Sequence, residues 1–124
     1  MRKKSFVTML LYMARDFRSR QMFRSLHKYC RGSVLDVGGL DFYVTIKRKG
    51  IPFDSWTILE VDRALLPDIS NEEVRLEVGD GCAMTFPSNS YDTVVCIQVL
   101  EHVFEPISMM QEMCRVLRPG GHLI

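Results

Sequence analysis

Blocks of apolar residues separated by glycine, proline and acidic residues run the length of this chain. Residues 5–30 place apolar and basic residues at helical spacing and predict one or two helices. These stop near Cys30-Arg31-Gly32, where glycine favours a helix end. Residues 34–37, Val-Leu-Asp-Val, form a short buried strand between Gly32 and Gly38-Gly39. Residues 40–55 read as a linker holding Lys47-Arg48-Lys49 and the turn signal Gly50-Ile51-Pro52. Residues 56–61 are a second strand closed by Asp62, and residues 74–78 alternate as a third that ends at Gly79-Asp80-Gly81. After a turn at residues 87–90, residues 93–97 are almost wholly apolar, as in a central parallel strand. A short helical piece spans 98–103 and a helix spans 106–117, with Pro106 at its first position. Ile107, Met110, Cys114 and Leu117 lie at helical spacing and are expected to face the core. Arg118-Pro119-Gly120-Gly121 ends that helix, and residues 122–124 open another strand.

Strands alternating with helical crossovers predict an α/β fold with a Rossmann-like parallel sheet and flanking helices. Ligands in such sheets bind beyond the carboxyl ends of the strands, near the point where strand order reverses. That rule selects Asp36-Val37-Gly38-Gly39, Asp62, Asp80-Gly81 and Ile97-Gln98, so three of four strand ends carry a carboxylate. A glycine turn lets a ligand approach the backbone. A carboxylate at the second strand tip can accept both hydroxyls of a ribose, and Asp62 follows Gly38 at about the separation this role needs. Asp80 could accept from an adenine amino group, and Asp36 could attract a cation. The set suits a positively charged nucleoside better than a pyrophosphate, which the carboxylates would repel. Simpler roles stand beside these: Asp36 as a turn acid, Asp80 as an Asx-turn residue and Asp62 as a helix cap. Glu60 shares a strand face with Asp62 and rivals it. The dinucleotide fingerprint G-x-G-x-x-G is absent, which disfavours a nicotinamide dehydrogenase.

Charge and cysteine content refine this picture. The 124-residue length suits one domain, divided here into a basic helical segment over 1–31 and a ligand-binding domain over 32–124. The net charge of +1 conceals nine Lys/Arg against one acid in residues 1–31, and seven against fourteen in the remainder. The basic segment reads as a solvated helix face with its aromatics (Phe6, Tyr12, Phe17, Phe23, Tyr29) mostly turned inward. Contact with an anionic membrane surface is the second reading, and no nucleic-acid partner is expected. MRKK and the following apolar run lack a small-residue cleavage site, so they are read as the start of an amphipathic helix with Leu10, Ala14, Phe17 and Gln21 to Met22 on one side, not as a secretion signal. The four cysteines have no metal-ligand spacing and suit buried, reduced thiols in a cytoplasmic setting.

From Val34 onward the chain resembles the class I S-adenosylmethionine-dependent methyltransferases, in particular the type 11 group. The motifs are Gly79-Asp80-Gly81, Thr85-Phe86-Pro87, Ser90-Tyr91-Asp92, Leu100-Glu101-His102 and Arg115 to Gly121, in the family's order. The resemblance implies that Asp36, Gly38 and Gly39 lie by the methionine part of S-adenosylmethionine and that Asp62 holds the ribose. It implies that Asp80 with the Gly81 and Cys82 backbone holds the adenine, and that Gln98 sits near the methyl donor. The first loop departs from the family's Asp-x-Gly-x-Gly-x-Gly form, with Leu40 and Phe42 at the second and third glycine places.

The implied fold is an incomplete seven-stranded methyltransferase sheet. The implied reaction is methyl transfer to a small-molecule, lipid or sugar acceptor, with His102 a candidate base or a structural residue. The alternative is a truncated, inactive fold serving as an interaction module, with self-association expected at the unfinished sheet edge.

Overall fold

The computed structural model describes residues 6–124; the MRKK segment and Ser5 lie outside the described residues. The elements are α1 (Phe6–Tyr29), β1 (Ser33–Val37), α2 (Phe42–Arg48), β2 (Ser55–Glu60), β3 (Val74–Val78), β4 (Tyr91–Val95), α3 (Pro106–Val116) and β5 (Leu117–Leu123). Short 3-10 turns follow β2 at Arg63–Leu65 and β4 at Leu100–His102. The five strands pair in parallel in the order β3-β2-β1-β4-β5. The chain leaves β1 toward β2 on one side and returns to β4 on the other, so strand order reverses between β1 and β4. This is the parallel α/β sheet expected from the apolar runs.

Alternation along the central strands builds two cores. Val34 of β1 and Trp56 and Ile58 of β2 join Leu26, Cys30, Tyr43 and Ile46 on the face covered by α1 and α2. Leu35, Val37 and Leu59 point the other way and join Met109, Met113 and Val116 of α3. β1 and β2 are buried on both faces, which is why their sequences are continuous apolar runs rather than alternating ones.

Four local expectations change. Residues 42–48 are helical, not linker. Their Phe, Val, Thr and Ile content is weak for a helix, and burial of Tyr43 and Ile46 overrides propensity. On α3 the buried stripe is Met109, Met113 and Val116, while Ile107 is 73% exposed and Cys114 is exposed. Both stripes have helical spacing, so only the helix's rotation on the sheet separates them. The expectation of buried cysteines holds only for Cys30: Cys82 and Cys96 are half-buried and Cys114 is exposed, although all four are free thiols. β5 begins at Leu117 and passes through Arg118–Gly121 with an irregular register against β4, so this stretch is strand and not only a helix stop.

The fourth change concerns α1. Only Leu26 of this 24-residue helix is fully buried, and Leu10 and Phe17 are 56% and 61% exposed. The expected inward turn of Phe6, Tyr12 and Phe17 is not seen; Met22 and Phe23 make the partial contacts. The reason is length. A helix of this size spans about 36 Å at ~1.5 Å per residue. A strand of five residues covers roughly 17 Å, so the amino-terminal half of α1 runs past the sheet. Among the described residues no helix is long and apolar enough to cross a membrane.

Candidate functional site

A cleft of about 700 Å³ opens at the carboxyl ends of β1 to β4, beside the point of strand reversal. Its floor and walls include Val37, Gly38, Leu59, Glu60, Gly79, Asp80, Gly81, Gln98, Val99 and His102. The volume lies in the range of small-ligand sites, and a mostly apolar wall with a few polar groups is their usual construction.

The glycine turn after β1 is dictated by its neighbours. Gly38 has φ +70°, and a Cβ there would stand 2.8 Å from Val99. A Cβ on Gly39 would stand 2.0 Å from Asp36 Oδ2. The Gly38 N–H donates to Leu59 O at 2.9 Å, which extends the β1–β2 ladder into the turn. Gly38 reaches the cleft wall, whereas Gly39 lies over the Asp36 carboxylate.

Asp36 is only 1% exposed and does not line the cleft. Trp56 Nε1–H donates to its Oδ2 at 3.1 Å. Burial pushes the Asp36 carboxyl up to about 7; the Trp56 hydrogen bond opposes that rise and the nearby Glu60 charge adds to it.

At the tip of β2, Glu60 is 4% exposed and on the cleft wall. Its Oε1 accepts the Leu40 N–H at 2.8 Å. Burial raises its carboxyl, and the Leu40 N–H pulls it back down. Asp62, the residue expected at the ribose, is exposed and absent from the wall. Its Oδ1 accepts the Ala64 N–H at 2.9 Å and caps the Arg63–Leu65 turn, as a helix-cap acid does. Strand phase alone does not separate the two acids; in the structure Asp62 is turned onto the following backbone, and Glu60 lines the cleft.

Asp80 and Gly81 line the cleft from the end of β3. Asp80 Oδ1 accepts the Cys82 N–H at 2.8 Å, an Asx turn that leaves its second oxygen uncommitted to this bond. Cys82 is not on the wall, and its N–H is already engaged. Gln98 is exposed at the cleft mouth with φ +57°, and His102 follows from the 3-10 turn. The structure thus gathers Gly38, Asp80, Gly81 and Gln98 in one cleft with Glu60, and sets Asp36, Gly39, Asp62 and Cys82 outside its lining. Among the described residues no cluster suited to a metal ion occurs.

Comparison with known proteins matches residues 55–124 to the family model described as a methyltransferase domain. A probable S-adenosylmethionine-dependent methyltransferase of Mycolicibacterium smegmatis is 32% identical over 112 residues, covering 84% of this chain and 41% of that protein. A demethylmenaquinone methyltransferase of Renibacterium salmoninarum is 36% identical over 90 residues, covering 73% of this chain and 31% of that protein. The solved structure of the cyclase SpnF superposes with a TM-score of 0.70 at 23% identity, over 86% of this chain and 42% of SpnF, and shows the shared fold. The chain spans well under half the length of these relatives. With more than half its residues matched by the family model, the chain belongs to the methyltransferase domain family.

Proposed function

We propose that this chain binds S-adenosylmethionine in the strand-end cleft and forms the cofactor-holding part of a methyltransferase for a small-molecule, lipid or sugar acceptor. One observation carries the reading. Glu60 and Asp80, from the tips of neighbouring strands, are two carboxylates on the wall of a single, mostly apolar cleft. Family membership and the name of the Mycolicibacterium relative support the same cofactor.

In this reading Glu60, not Asp62, accepts the ribose hydroxyls. Its burial removes competing water, and its bond from Leu40 fixes its position. The second oxygen of Asp80 accepts from the adenine amino group, beside the Gly81 backbone. Gly38 keeps the wall open where a methionine chain would pass. Gln98 at the mouth faces the incoming acceptor. Asp36 and Gly39 act indirectly, by setting the turn. Bound here, S-adenosylmethionine supplies the activated methyl group and its leaving sulfur. The protein's share is alignment, which can be worth roughly 7–11 kcal/mol in favourable cases. His102 is near enough to the cleft to take a proton from an acceptor hydroxyl, but alignment alone does not require it.

The test is a thermal-shift titration with S-adenosylmethionine and S-adenosylhomocysteine on the parent chain, Glu60→Gln and Asp62→Ala. At a hundredfold excess over its dissociation constant a ligand of the folded state adds about 2.7 kcal/mol. We expect a shift in the parent and in Asp62→Ala that largely disappears in Glu60→Gln. The opposite pattern would return the ribose to Asp62. No shift in a folded parent chain would refute cofactor binding and leave the fold as an interaction module.

A further inference from the structure

We infer that a second cavity, under the overhanging half of α1, is the acceptor-side subsite and takes a small acceptor whose apolar body carries an acidic group. This rests on the cofactor reading above. The cavity has a volume of about 490 Å³ and is bounded by Arg15, Arg18, Ser19 and Met22 of α1, with Phe42 and Ile97 opposite. Gln98 lines both this cavity and the strand-end cleft, so the two meet at one side chain.

Positions 15, 18, 19, 22 and 26 lie on one face of a helix at roughly 100° per residue. At Leu26 and Met22 this face packs on the core. Beyond the sheet the same face becomes cationic at Arg15 and Arg18. Both arginines are exposed, and the Arg15 guanidinium also lies 5.9 Å from the centre of the Tyr12 ring; what sets this stretch apart from an ordinary solvated face is that the two charges border a cavity whose opposite wall is Phe42 and Ile97. Among the described residues neither guanidinium forms an ion pair; the carboxylates that do are Glu73, Glu77, Glu112 and Asp92, with other partners. Asp16, the only acid of α1, is about 100° off this face. Charge is thus sorted across Gln98, with carboxylates on the cleft side and guanidinium groups on the other. A cationic ligand is favoured in the first cavity and an anion in the second. Two arginines suit a carboxylate, sulfonate or phosphate, which accept their forked N–H groups. Phe42, Ile97 and Met22 supply the apolar wall.

The test uses a matched pair of fluorescent probes: anilinonaphthalene sulfonate and its sulfonate-free parent, N-phenylnaphthylamine. Each is titrated at low salt into the parent chain, the Arg15→Gln/Arg18→Gln double variant, and Arg20→Gln, whose charge is off this face. We expect the sulfonate to bind about tenfold more tightly than the neutral probe, as charge-assisted bonding to two guanidinium groups should give. That preference should vanish in the double variant and persist in Arg20→Gln, while the S-adenosylhomocysteine thermal shift stays unchanged in both. Equal binding of the two probes overturns the inference, as does a preference that survives the double variant or falls equally in Arg20→Gln. A parallel arm measures co-sedimentation with phosphatidylglycerol and phosphatidylcholine vesicles. Arginine-dependent vesicle binding without a soluble-probe preference would assign this face to a bilayer and also overturn it. An arginine-dependent preference in a chain that shows no cofactor shift would sink the methyl-transfer reading and leave the anion site standing.

Discussion

The backbone N–H of Leu40 donates to Oε1 of Glu60 at 2.8 Å, tying the turn after β1 to the tip of β2. The bond spans twenty positions in sequence and joins the two strand ends at one corner of the cleft. Glu60→Ala leaves a partly buried N–H without its acceptor and should cost about 1–3 kcal/mol. Glu60→Gln keeps an acceptor oxygen and should cost less. Urea unfolding of the two variants measures the difference; equal losses would show that the bond contributes nothing.

Leu40 has φ +52°, at a place where the family's loop carries glycine. A left-handed backbone costs a branched residue roughly 1–2 kcal/mol, against about 0.5–1 kcal/mol for the added freedom of an unfolded glycine. Leu40 is also half exposed, so little burial is lost on its removal. Leu40→Gly should therefore be neutral or stabilising by up to about 1 kcal/mol. A clear fall in melting temperature would show that the Leu40 side chain contributes packing that outweighs the strain.

Asp36 gives the fold a pH dependence of unusual sign. Its carboxyl is raised by burial to about 7 in the folded chain, against ~3.9 unfolded. Between those values the native state holds the proton more tightly, so this group's contribution to stability is largest at the acidic end and is lost as pH rises to about 7. Asp36→Asn keeps an oxygen that can face Trp56 and removes the charge. It should gain stability relative to the parent as pH rises from 5 to 8, read as the difference in melting temperature. Trp56→Phe deletes the hydrogen bond that lowers the Asp36 carboxyl, so a carbon-detected titration should find that group higher still.

The two stripes of α3 separate cleanly by mutation. Met113 is fully buried against the sheet, so Met113→Ala should cost about 2–5 kcal/mol. Met110 lies on the exposed side, and Met110→Ala should stay within about 0.5 kcal/mol. Denaturant midpoints of both variants check the assignment, and comparable losses would mean the helix is rotated from the position described.

The sheet was legible in the sequence because β1, β2 and β4 are buried on both faces, and double burial writes a continuous apolar run. The cleft was legible because strand ends are marked by glycines and acids: Gly38, Asp80, Gly81 and Gln98 could be chosen from those marks alone. Tertiary structure decided what periodicity leaves degenerate. Glu60 and Asp62 share a strand phase, and only the hydrogen bonds to Ala64 and Leu40 separate cap from cleft wall. The two stripes of α3 share a helical period, and only the sheet beneath selects Met109, Met113 and Val116. The α2 segment is a weak helix former held by the burial of Tyr43 and Ile46. α1 looked amphipathic along its length, but a face is buried only where something lies under it, and the sheet ends before the helix does.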